Sequence, residues 1–212
     1  MGTVAAQRTY GGVSARERQT QRRGALLDAA LDIIASDGQT KLTVAGLCAR
    51  AGLNERYYYE SFPNRDAVLE ALLDRIAEEL TAAIALALAA AVKDSRGQAH
   101  AAISAGIAVL TDDPRKGRAA LITSAATPEL RAHTARTVSA FARLVAAEGT
   151  GFYGATAPEA VVDFRALYLV GGLVQTLTAW LAGDLAMTRE ELVDQITEVF
   201  VLLGDDLADR YR

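Results

Sequence analysis

The stretch from Thr43 to Phe62, TVAGLCARAGLNERYYYESF, narrows the possible folds more than any other part of the chain. Val44, Leu47, Cys48 and Ala51 recur at helical spacing and are mostly small, which lets a second helix cross the first closely. Thr43 occupies the N-cap slot of that first helix. Gly52 interrupts the pattern, Leu53 can plug a core from the turn, and Asn54 offers a capping oxygen to a second short helix. The spacing predicts a helix-turn-helix whose exposed start carries Glu55, Arg56 and Tyr57.

The flanks complete a domain. A broad apolar face over residues 22 to 36, built from Leu26, Leu27, Ala30, Leu31, Ile33 and Ile34, suits a three-helix core. The run FPNRDAVLEALL follows immediately. With Tyr59, Glu60, Ser61, Phe62, Pro63, Asn64 and Arg65 in order, residues 22 to 73 resemble the TetR-family transcriptional regulators, whose DNA-binding domain ends in a Tyr-x-x-Phe-Pro-x-Lys/Arg run. Ser61 stands where that family often has His, and Gly46 where it commonly has a polar residue.

The resemblance implies an all-α protein, with an N-terminal three-helix helix-turn-helix DNA-binding domain followed by a helical ligand-binding and dimerisation domain. The expected division is a flexible basic arm over 1–20, the DNA-binding domain over 21–66 and the second domain over 67–212.

A net charge of −4 looks unfavourable for nucleic acid, but its distribution is not uniform. Residues 1 to 65 carry nine Lys+Arg against six Asp+Glu, a balance of +3, and the remainder carries 13 against 20, a balance of −7. The local field decides docking on phosphates, and the basic third holds the helix-turn-helix. Cys48 is the only cysteine, so no disulfide forms within the chain, and with His100 and His133 far apart no metal-site spacing can be built. No cofactor is expected. The two histidines have no carboxylate at a diagnostic spacing, and neither Ser104 nor Ser124 lies in a nucleophile motif, so an enzyme is not expected. No signal-peptide pattern or pure apolar span is legible, and the expectation is a soluble cytoplasmic protein that stays off membranes.

Beyond Pro63 the periodicity predicts one helix from Asn64 to as far as Val92, a second over Gln98 to Leu110, and a third over Arg115 to about Ser124. A long helix from Thr127 to Ala147 should end in a glycine-containing loop, Glu148 to Gly154. No strand or glycine fingerprint accompanies that loop, which argues against a nucleotide site. Two last helices, Pro158 to about Leu181 and Thr188 to about Leu203, close the chain. The first is unusually apolar and holds Gly171 and Gly172, suited to close backbone approach. By resemblance, these two helices form the interface of a homodimer.

In the reading helix, Tyr58 and Phe62 are four apart and belong against the core. Arg56 can fork to guanine, Glu55 can accept from a cytosine amino group, and Tyr57 can meet a thymine methyl or a phosphate. By resemblance, Thr43, Tyr59 and Arg65 hold the phosphate backbone, with Asn54 at the helix start. The resemblance further implies a small-molecule pocket in the second domain; Phe141, Tyr168, Gln175 and Trp180 are the residues expected to line it, around a small and largely apolar effector. The functional expectation is a repressor that leaves a palindromic double-stranded DNA operator when effector binds. The alternative is an all-helical dimeric protein-interaction module with little specific DNA binding.

Overall fold

A computed structural model describes residues 14–38, 41–123, 127–154 and 156–211, and all of its regular structure is helical. The chain separates into two compact units, Met1–Leu72 and Leu73–Arg212, whereas the sequence divides it at residue 66.

The first unit is built from α1 (Ala15–Asp37), α2 (Val44–Ala51), α3 (Glu55–Ser61) and the first two turns of α4 (Arg65–Ala90). Helix α1 starts at Ala15, well before the expected Arg22. Ser14 and Glu17 form a reciprocal capping box that satisfies two otherwise orphaned amides, and this nucleates the extra turns. The basic arm expected over 1–20 is therefore corrected from residue 14 onward, where Arg16 and Arg18 lie on a helix; residues 1–13 lie outside the described residues. Leu26, Ile34, Leu42, Leu47, Tyr58 and Phe62 are completely enclosed. Gly52 closes α2 at a φ of 65°, where a side chain would be strained, and its amide returns to the Ala49 carbonyl. The sharp reversal that sets α3 against α2 depends on that conformation.

The second unit contains the rest of α4, then α5 (Ser95–Thr111), α6 (Pro114–Gly117), a wider π-type segment (Arg118–Thr123), α7 (Pro128–Tyr153), α8 (Glu159–Ala182) and α9 (Arg189–Arg210). Asp94 caps α5 through the Gly97 amide at 2.6 Å, which moves its start ahead of the expected Gln98. The expected single helix after Arg115 is instead the short α6 followed by the wider segment. Helix α9 runs on to Arg210, where Arg165 of α8 pairs with Asp206 at 2.6 Å and donates to the Leu203 carbonyl.

The loop expected over Glu148–Gly154 is helix as far as Tyr153. Two glycines cost a helix about 1 kcal/mol each relative to Ala, but tertiary packing overrides propensity here. Phe152 and Tyr153 stack edge to face at 4.9 Å, and a Cβ on Gly204 of α9 would fall within 2.5 Å of the Tyr153 hydroxyl. The Tyr153 phenol is pushed up to about 12, first by burial and then by its bond to Asp205. A tyrosine so anchored holds the last turn of α7 in place.

Candidate nucleic-acid interface and effector cavity

The reading helix starts from its caps. Thr43 accepts from the Gly46 amide at 3.0 Å, and Asn54 accepts from the Tyr57 amide at 3.1 Å. Tyr58 is fully enclosed, and burial raises its phenol above the ordinary range; Phe62 lies one turn on. These two residues fix the rotation of α3, leaving Asn54, Glu55, Arg56 and Tyr59 exposed. Arg65 is exposed at the start of α4 beside Asp66, with 3.7 Å between them.

Tyr57 sits differently from its neighbours. It is half-buried, with the Arg22 guanidinium 4.3 Å from its ring centre, a cation–π stack. Arg23 does the same over Phe62 at 4.1 Å and donates to the Ser61 carbonyl at 2.9 Å. Glu60 accepts from Arg56 at 3.0 Å and lies 3.8 Å from Arg22, so one carboxylate meets a guanidinium from each of two helices. The parts of Arg22 and Arg23 were not read from the sequence. Their stacking partners lie more than 30 residues away, beyond the reach of any local pattern.

The second unit encloses a cavity of about 310 Å³. It runs along α7 from His133 to Tyr153 and along α4 from Leu73 to Leu88, closed by faces of α5, α8 and α9. The lining is overwhelmingly apolar, including Ile76, Leu80, Ile107, Phe141, Val174 and Leu177. His133, Thr134 and Thr137 stand toward one end, and Ser95, Gln98 and Glu148 toward the other. His133 of α7 comes within 2.9 Å of Asp74 of α4.

Of the four residues expected to line a pocket, Phe141 does. Tyr168, Gln175 and Trp180 are not in the lining, and helical phase is the reason. On α8, Val170, Leu173, Val174 and Leu177 face the cavity, which turns Tyr168, 65% exposed, and Gln175 to the opposite side. Trp180 donates its indole N–H to the Met187 carbonyl at 2.8 Å and braces the α8–α9 turn.

Comparison with known proteins matches the first unit by sequence and the rest by fold. Residues 26–72 match the family model described as "Bacterial regulatory proteins, tetR family". Over those residues the chain is similar to the TetR family. The matched segment takes in most of α1, all of α2 and α3, and the first turns of α4. Outside it the likeness is one of fold. The fatty acid degradation regulator FadR from Bacillus halodurans superposes with a TM-score of 0.73 at 17% identity, over 92% of this chain and 97% of that one. A TetR-family transcriptional regulator from Streptomyces coelicolor gives 0.70 at 16%, over 91% and 88%. A TetR-like transcriptional regulator from Rhodococcus sp. RHA1 gives 0.61 at 18%, over 86% and 93%. No curated protein sequence matches the chain. The matched segment supports a DNA-binding role for the first unit.

Proposed function

We propose that the protein is a dimeric repressor that leaves a palindromic operator when a small, largely apolar molecule occupies the cavity of its second unit. The observation that carries this reading is the make-up of α4. Its first turns belong to the DNA-binding unit, and its continuation from Leu73 to Leu88 forms a wall of the apolar cavity. A ligand that favours one setting of α4 over another shifts DNA affinity by its differential affinity for the two. The name of the Bacillus halodurans relative, a fatty acid degradation regulator, is in keeping with an apolar effector.

Dimerisation is supported by an apolar stripe left exposed among the described residues. Phe164, Leu167, Tyr168, Gly171 and Gly172 recur along one side of α8, and Val199 and Leu202 are exposed on α9. Among the described residues, nothing beyond α8's own neighbouring backbone lies within 4 Å of a Cβ added at Gly171 or Gly172, so their close-approach surface is open to a second copy. Helix α8 is long and apolar enough to cross a membrane by length and composition, but its surplus is this stripe and it carries Asp163 and Arg165. We place the protein in the cytoplasm.

On DNA, Glu55 and Arg56 read base edges in the major groove, while Thr43, Asn54, Tyr59 and Arg65 hold the backbone. Tyr57 acts there together with the arginine stacked on it. The alternative, an all-helical protein-interaction module, draws support from Glu60, which neutralises part of the basic face. Retardation of DNA adjoining the protein's own gene separates the two. Sequence-selective, salt-sensitive binding is the expected result; equal affinity for scrambled DNA would sink the repressor reading.

A further inference from the structure

The Arg56–Glu60 pair on α3 runs against what helix energetics alone would select. On an isolated helix the favourable order places the acid four residues before the base, because negative charge suits the start of a helix and positive charge its end. Here the base comes first, and Glu60 is the penultimate residue of a seven-residue helix. Arg56 is also 81% exposed, and a solvated pair in this order adds next to nothing to stability. What the pair fixes is geometry.

Three contacts define that geometry. Arg56 Nε donates to Glu60 Oε1 at 3.0 Å. The other carboxylate oxygen, Oε2, lies 3.8 Å from Arg22 of α1. Arg22 is itself stacked on the Tyr57 ring and only 25% exposed, so the carboxylate is steadied from a helix other than its own. Arg56 is thus gripped at Nε alone. Its two terminal nitrogens have no partner among the described residues, and they are the donors that match the O6 and N7 acceptors of guanine. A free arginine gives up the freedom of several side-chain torsions when it pairs with a base, and one already held by a carboxylate gives up less.

We propose that Glu60 is a positioning residue for base recognition: it holds the Arg56 guanidinium by Nε so that the two terminal nitrogens meet a guanine edge, while Arg22 keeps Glu60 in place. The assignment rests on the reading of Arg56 as a base-reading residue. A carboxylate that only diluted the positive charge of this face would act on every sequence alike, whereas one that aligns Arg56 favours the sequence with guanine in reach. Duplexes selected from a random pool by full-length wild type supply the cognate sequence, and a scrambled duplex of the same length is the comparator. Affinities for both, at one salt concentration, are measured for wild type, E60A, E60Q, R56A and the double variant E60A/R56A.

The quantity read is the ratio of cognate to scrambled affinity. E60A should bind scrambled DNA more tightly than wild type, through lost repulsion, yet its ratio should fall about two- to tenfold for each Arg56 engaged, the cost of immobilising one long side chain. E60Q keeps an acceptor for Nε, and its ratio should fall less. In the R56A background, removing Glu60 should leave the ratio unchanged, because nothing remains to be aligned. Selection repeated with E60A should lose the preference for guanine at the position where R56A loses it. Equal tightening on both duplexes by E60A, with the ratio preserved, overturns the assignment, as does a fall of the same size in the R56A background. A ratio lowered by R56A but untouched by E60A removes the assignment and leaves Arg56 its base-reading role. A ratio untouched by R56A removes both, and so does failure of wild type to enrich any sequence. The pair is exposed, so E60A should melt no lower than wild type; a lower melting point with an unchanged ratio gives Glu60 a structural role instead.

Discussion

The two units solve different packing problems. In the first, short helices close completely on Tyr58, Phe62, Leu47 and Ile34, and the few residues left at the surface of α3 are polar or charged apart from Tyr59. In the second, longer helices leave an internal cavity and an exposed apolar stripe. A domain that must present side chains in a fixed register gains from a core without slack, because close packing transmits strain instead of absorbing it. On the proposed reading, a domain that admits a guest and a second copy has to leave contacts unmade.

The largest expected effect compares one substitution in both places. Phe62→Ala should cost about 3–5 kcal/mol, and Phe141→Ala, which enlarges an existing cavity, about 1–2 kcal/mol. Denaturant melts of the two variants measure the difference, and equal losses would break the contrast between a closed and an open core. Next comes the outer stripe. Tyr168→Asp or Leu202→Asp should weaken self-association by about 2 kcal/mol or more, roughly thirtyfold in Kd, by analytical ultracentrifugation. A dimer unaffected by both places the interface elsewhere.

Smaller effects are expected on the DNA-binding surface. Arg56→Ala should cost about 1–3 kcal/mol on a cognate operator and little on scrambled DNA, whereas Arg65→Ala should weaken both alike. Equal losses for Arg56→Ala remove its base-reading role. The smallest effect is on acid stability. Asp206 is half-buried, and its bonds to Arg210 and then Arg165 hold its carboxyl below the ordinary range. A depressed carboxyl stabilises the fold above its unfolded value, near about 4, and that contribution fades as pH falls through the lower folded value. An acid titration should therefore show Arg165→Met differing from wild type above about pH 4 and converging with it below.

The sequence made the first unit legible because its signals are local. Caps at Thr43 and Asn54, the turn at Gly52 and the spacing of Tyr58 and Phe62 all act within one helical turn, and each has the part expected of it. Errors came where distant contacts decided the outcome. Gly149 and Gly151 look like a loop until Tyr153 finds Gly204 and Asp205 on another helix. The phase of α8 could not be read from a helix apolar all round, so Tyr168 and Gln175 were expected inside. Polar atoms with no partner, such as the Thr134 hydroxyl, leave no trace in a sequence at all.

Glu60 has a bearing on how this protein responds to ionic strength. Each arginine that neutralises a DNA phosphate releases about 0.9 of a condensed cation, and this sets the slope of affinity against salt. Arg22 and Arg56 share the Glu60 carboxylate, so the three together present one net positive charge to a nearby phosphate instead of two. The protein carries part of its own counterion atmosphere. Its grip on DNA should therefore vary less with cellular salt than its number of basic residues implies, and Glu60→Gln should steepen that dependence by about one ion while tightening non-specific binding.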